Sequence, residues 1–183
     1  MRTSPLILSV ALCAVAALAA CDTPEPKAAE GAADPLVGSP APGFDLTSLN
    51  TKEKVALAGM NGKVVLVDFW ATWCGPCKES FPKLQELYVK YHASGLQIVG
   101  VSEDDENDGI LDFGKNNGTT FPLVWDKDKT VSGKYGFGDP STAKMPSSFI
   151  LDKKGAVRYV HRGYHDGEEV EIEKQIKELL GAT

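Results

Sequence analysis

The run Val64-Val65-Leu66-Val67-Asp68-Phe69-Trp70 constrains this chain most, because a single carboxylate interrupts an otherwise aliphatic and aromatic stretch. So short and continuous an apolar run is the pattern of a strand buried on both faces, as at the centre of a parallel sheet. Two thiols follow almost at once in Cys74-Gly75-Pro76-Cys77, and beyond them Phe81, Leu84, Leu87, Tyr88 and Tyr91 fall at helical spacing. The dithiol therefore sits where a central strand hands over to a helix. Two cysteines separated by two residues at such a junction read as a redox pair.

The other cysteines, Cys13 and Cys21, belong to the front of the chain. Met1 and Arg2 precede an apolar stretch over residues 6–20 that ends in Leu18-Ala19-Ala20-Cys21. That stretch is too short and Ala-rich for a membrane span and fits the charged, apolar and small-residue regions of an export signal over residues 1–20. Its end resembles the lipobox of bacterial lipoproteins, which implies that Cys21 carries lipid and becomes the first residue of a membrane-anchored chain. Cys13 then leaves with the signal, and Cys74 and Cys77 remain for chemistry. Ordinary cleavage nearby would instead leave Cys21 as a thiol in the tail.

Residues 21–36 are mainly Ala, Pro, Glu and Gly, which cannot bury enough surface to offset ordering entropy, so a flexible linker is expected. Residues 37–183 suffice for one domain with a sizeable core. The formal net charge of −6 disfavours nucleic acid as a partner. Within the domain, residues 44–46 and 55–57 read as an N-terminal hairpin, 96–101 as a second buried strand, 121–125 as a short strand and 130–135 as one or two helical turns. Residues 147–152 and 156–160 read as a second hairpin, making the sheet mixed. The acidic run over residues 102–108 reads as a helix start rather than a cation site, since Asp and Glu favour the first turn. Over residues 168–180, Val170, Ile172, Ile176, Leu179 and Leu180 form an apolar stripe that Gly181 should end.

The motif Val67-Asp68-Phe69-Trp70-Ala71-Thr72-Trp73-Cys74-Gly75-Pro76-Cys77-Lys78, with Pro82 beyond it, resembles the thioredoxin active site. Gly38, Ala41-Pro42, Phe44, Gly62-Lys63, Phe121-Pro122 and Met145-Pro146-Ser147-Ser148-Phe149 extend the resemblance to TlpA and ResA-like thiol-disulfide oxidoreductases. The resemblance implies an α/β thioredoxin-like fold, a central mixed sheet flanked by helices, with an N-terminal β-hairpin and a central insertion. It makes Asp68 the buried acid that serves Cys77 as a base. It also makes Met145-Pro146 the cis-proline pair facing the dithiol, where the backbone at Met145 would receive an extended substrate. Trp73, Gly75 and Pro76 would complete the contact surface, and Trp70 would be core.

At a helix N-terminus, unpaired N–H groups and the dipole favour the thiolate of Cys74. A free thiol of pKa about 8.5 is only ~3% ionised at pH 7, and a fall of about 1.5 units would make it half ionised. Cys74 is thus the expected nucleophile and Cys77 the resolving thiol. No cofactor or metal is called for. The Gly-Pro pair resembles reducing thioredoxins more than oxidants, leaving oxidase or isomerase action as the alternatives. The expected partners are protein disulfides, including haem-attachment cysteines in cytochrome c maturation, and a membrane-embedded thiol donor. The protein is expected to be a monomer in the cell envelope.

A copper- or zinc-binding chaperone of the same fold is a different reading, with His161 or His165 joining the cysteines. The Cys-x-x-Cys spacing and Asp68 argue against it. Peroxidase chemistry is weaker still, because Ala71 stands where peroxiredoxins need Thr. Two departures from the family bear on the site. Ser80 occupies the position where TlpA-like chains carry Glu, with Glu79 one place earlier, and the connection over residues 136–144 is longer than usual. Gly100 stands near where thioredoxins place a lysine beside the buried acid.

Overall fold

All seven residues of Val64–Trp70 are buried in the computed structural model, which describes residues 34–137 and 144–181. In chain order the described elements are β1 (Asp45–Thr47), β2 (Lys54–Ala56), β3 (Val64–Trp70), α1 (Gly75–Tyr91), β4 (Leu96–Ser102), α2 (Ile110–Asn116), β5 (Leu123–Trp125), α3 (Thr130–Lys134), β6 (Ser147–Leu151), β7 (Val157–Arg162) and α4 (Glu168–Gly181). The main sheet has the order β5-β4-β3-β6-β7, so the strand carrying Asp68 is central. It runs parallel to β4 and antiparallel to β6, and the mixed sheet expected from the sequence is present. β1 and β2 pair separately as the N-terminal hairpin. Between β4 and β6 the chain adds α2, edge strand β5 and α3.

Because side chains alternate along a strand, β3 divides the core into two clusters. Val64, Leu66 and Trp70 face Phe81, Leu84 and Leu87 of α1, Ile110 and Phe113 of α2, and Ile172, Ile176 and Leu179 of α4. Val65, Val67 and Phe69 face the hairpin residues Phe44 and Val55 together with Val131, Tyr135 and Phe137 near α3. A strand covered on both sides can afford almost no polar group, which makes Asp68 conspicuous.

Several expectations need correction. The acids of the run over 102–108 are not in a first helical turn: α2 starts at Ile110 after Gly109, whose φ of 86° suits glycine, and only Asp112 is an acid of that turn. Glu103 and Asp104 are instead buried. Val170 is 66% exposed, so the buried stripe of α4 is Ile172, Ile176 and Leu179, and the helix includes Gly181. Asp34 and Leu36, assigned to the linker by composition, are held on the domain: Arg162 Nε donates to Asp34 Oδ2 at 2.7 Å, and Leu36 packs against the core. The export-signal reading and the lipidation reading at Cys21 lie outside the described residues, as do residues 138–143 of the long connection. Among the described residues no helix is long and apolar enough to cross a membrane.

Candidate active site

Trp70 ends β3, and the chain turns through Ala71, Thr72 and Trp73 before Cys74 caps α1. The Cys74 Sγ accepts a hydrogen bond from the backbone N–H of Cys77 at 3.2 Å, and the two cysteines are joined by a disulfide. Gly75 and Pro76 open the helix, where the missing N–H of proline leaves no intrahelical bond unmade. Cys77 is fully buried, whereas Cys74 retains 5% exposure beside Trp73, itself 62% exposed. An approaching molecule therefore meets Trp73, Gly75, Pro76 and the edge of Cys74 first.

The turn is held from a distance. Asp104 accepts from Thr72 N at 3.1 Å and from Thr72 Oγ1 at 2.6 Å, and from Ser102 Oγ at 2.8 Å, while Glu103 N donates to Trp70 O at 2.7 Å. Sequence reading missed this role of Asp104, because its partner Thr72 is far away in the chain and no local pattern links them.

Asp68 lies between Leu66 and Trp70 on the α1-facing side of β3, the side of the cluster that contains both cysteines. Its Oδ1 accepts from Ser148 Oγ at 2.7 Å. Burial raises its pKa from 3.8 to about 7; the Ser148 bond opposes this, and the charge of Glu168 adds to it. Asp68 can thus both accept and return a proton near neutrality. Its parallel neighbour is Gly100, where an added Cβ would stand 2.9 Å from Leu123 Cδ2 and 3.1 Å from Trp70 Nε1. Trp70 and Leu123 fill the space a lysine would need, so Ser148 and Glu168 supply the polar surroundings.

The Met145-Pro146 peptide is cis, as expected. Met145 packs against the cluster holding the cysteines, and Pro146 lines a cleft with Ser80, Ser148 and Glu168. Ser80 is buried and donates to Cys77 O at 3.2 Å, while Glu79 is exposed. His161 and His165 both lie against Glu168, at 3.2 and 3.4 Å, and among the described residues no group of three or more His, Cys, Asp or Glu could hold a metal ion.

The model of the AhpC/TSA family matches residues 37–160, which contain the dithiol, Asp68 and the cis-proline. The chain belongs to this family. A thiol-disulfide oxidoreductase ResA of Bacillus thuringiensis (strain Al Hakam) is 37% identical over 121 residues, 66% of each chain. That of Geobacillus kaustophilus (strain HTA426) is 36% identical over 135 residues, 74% of each. The first of these matches thus spans slightly less than two thirds of the relative's length. A Chlorobium tepidum structure assigned as thiol:disulfide interchange protein DsbE superposes with a TM-score of 0.72 at 34% identity, covering 79% of this chain and 98% of that one. The thioredoxin domain of a Bacteroides vulgatus thiol-disulfide oxidoreductase gives 0.64 at 27% identity, covering 76% and 97%. This AhpC/TSA member is therefore of the ResA and DsbE thiol-disulfide oxidoreductase type, with a thioredoxin-like fold and its Cys-x-x-Cys pair intact.

Proposed function

We propose that the protein is a protein-disulfide reductase working outside the cytoplasm, tethered to a bacterial membrane through lipidated Cys21. The observation that carries the reading is the asymmetry of the dithiol: Cys74 caps a helix at the surface, and Cys77 is fully buried on the sheet face that carries Asp68. In the cycle, the Cys74 thiolate attacks a client disulfide, whose S–S bond breaks and releases one client thiolate. The Cys77 thiol then gives its proton to the Asp68 carboxylate, and its sulfur attacks Cys74 Sγ. The bond between Cys74 and the client breaks, the second client thiolate leaves, and two electrons have passed to the client. The Cys74–Cys77 disulfide is the product of this half-cycle. A membrane-embedded dithiol carrier resets the pair.

Trp73 and the Met145-Pro146 backbone form the surface that receives an extended client segment. The clients are extracytoplasmic protein disulfides, and the haem-attachment cysteines of apocytochromes c fit that description. The ResA-like relatives and the export-signal pattern read in residues 1–20 support this reading, as does the Gly-Pro pair between the cysteines.

The test is to equilibrate the protein with glutathione buffers. The reading expects a reduction potential nearer the about −270 mV of thioredoxin than the about −120 mV of a strong oxidant. A value at the oxidising end would overturn reduction as its direction. Cys77→Ala should accumulate clients as mixed disulfides, whereas Cys74→Ala should abolish insulin reduction.

A further inference from the structure

The sheet face beneath α1 and α4 carries polar groups that the exchange cycle leaves unused. Strand register sets Gly100, Asp68, Ser148 and His161 side by side across β4, β3, β6 and β7. Cross-strand neighbours point to the same face, so a polar row runs from the buried carboxyl to the last strand. Ser148 Oγ, bonded to Asp68, is its middle member. At the outer end His161 Nε2 faces Gln175 Oε1 at 2.8 Å, and His161 Nδ1 faces Glu168 Oε1 at 3.2 Å. Gln175 Nε2 donates to Glu171 Oε1 at 3.1 Å, which turns the amide oxygen toward the ring. Both ring nitrogens face oxygens, a setting that suits the imidazolium with its two N–H donors: Nε2 is within hydrogen-bond distance of Gln175, and Nδ1 meets Glu168 Oε1 as a charge contact, that oxygen having no hydrogen-bond partner among the described residues.

Glu168 is the first residue of α4 and is 5% exposed. Beside it is a cavity of about 10 Å³, roughly the room of one water, lined by Ser80, Pro146, Ser148 and Tyr164 among others. Its Oε1 also lies 3.4 Å from Nδ1 of His165, whose side chain is 74% exposed. Glu168 thus meets the buried row, a water-sized space and a histidine open to solvent.

Resting on the reading of Asp68 as acceptor of the Cys77 proton, we propose that Glu168 and His161 are positioning residues for Asp68. With Ser148 and the cavity they connect its carboxyl to solvent at His165 and fix the charge it faces. The other ionisable groups around the row are accounted for. Lys83 of α1 pairs with Glu169 at 3.6 Å, and Tyr159 of β7 donates to Glu178 at 2.9 Å. Tyr164 and Glu169 line the cavity, and Glu171 holds Gln175. β4 contributes no charged side chain to the row, since Asp68 has Gly100 beside it. Burial draws the His161 pKa down, but its contacts with Glu168 and Gln175 and the charges of Glu168 and Glu171 outweigh burial and raise it. The charge of Glu168 raises the Asp68 pKa, and His161, when protonated, sets a positive charge against that same carboxylate.

The test mixes the reduced full chain with dithionitrobenzoate in stopped flow. The first thionitrobenzoate released reports attack by Cys74, and the second reports resolution by Cys77. The second phase of the parent should inflect where Asp68 titrates. Glu168→Gln removes a negative charge and should lower that inflection by about 0.5 pH unit or more, while His161→Gln removes a positive one and should raise it by a similar amount. Glu168→Asp should stay nearer the parent than Glu168→Gln. A merely structural role would not move the inflection in two directions. If Asp68→Asn abolishes the inflection while the Glu168 and His161 variants leave it in place, or move it the same way, this proposal fails and the base reading stands. If Asp68→Asn leaves the profile unchanged, both fail.

Discussion

Asp68 Oδ1 accepts the Ser148 hydroxyl at 2.7 Å, while its buried Oδ2 has no hydrogen-bond partner among the described residues. A half-satisfied carboxyl in a fully covered strand is expensive when ionised, and its proton affinity rises accordingly. The fold therefore holds, beneath its dithiol, an acid that is comfortable only when protonated.

Stability should register this. The unfolded chain releases the Asp68 proton near 3.8 and the folded one near 7, so between these values the folded state binds more protons. Stability contributed by Asp68 is then complete below about pH 4 and lost as pH rises through about 7, by up to ~4 kcal/mol. Asp68→Asn should remove this slope and be more stable than the parent at high pH. Glu103, raised by burial from 4.5 to about 7, titrates in both proteins, so the difference between their denaturant curves isolates Asp68. The same variant should slow the resolving step about 100-fold.

Asp104 ties the turn before the nucleophile to β4. Asp104→Ala leaves Thr72 N and Ser102 Oγ without this acceptor, and a loss of about 2–4 kcal/mol is expected from urea unfolding. Asp104→Asn, which keeps one carbonyl oxygen, should lose less. The Ala variant should also attack dithionitrobenzoate more slowly, since Cys74 no longer rides on a fixed turn.

Gly100 and Gly114 clasp Leu123 between them. A Cβ at Gly100 would come within 2.9 Å of Leu123 Cδ2, and one at Gly114 within 2.5 Å of Leu123 Cδ1, so Leu123 cannot retreat from either. Gly100→Ala should cost about 1–3 kcal/mol by overpacking, read in thermal unfolding, and should perturb the emission of Trp70.

The two faces of α4 should differ sharply. Ile176 is fully buried and Val170 is 66% exposed. Ile176→Ala should cost about 2–5 kcal/mol, whereas Val170→Lys should stay within about 0.5 kcal/mol of the parent.

How legible the protein was in its sequence depends on how local each cause is. The buried strand over Val64–Trp70, the dithiol and the helix after it follow from contiguous patterns and appear with little change of boundary. Asp68 stood out because its neighbours are apolar. Asp104, Ser148 and Glu168 did not stand out, because each draws its role from a partner on another strand or helix. The acidic run shows the cost most clearly: local reasoning spends Glu103 and Asp104 on a helix dipole, while the fold buries both and sets Asp104 against the active-site turn. Val170 fits an apolar periodicity as well as Ile172 does, and only the lie of α4 on the sheet separates them.

In this dithiol one sulfur attacks and the other waits, an asymmetry on which the whole cycle depends. It is tested most directly by alkylating the reduced protein with iodoacetamide from acid to mild alkali and locating the label by mass spectrometry. Cys74 should be modified well below the about pH 8.5 of a free thiol, with Cys77 unlabelled until the protein unfolds. Equal reactivity of the two cysteines, or earlier labelling of Cys77, would contradict it.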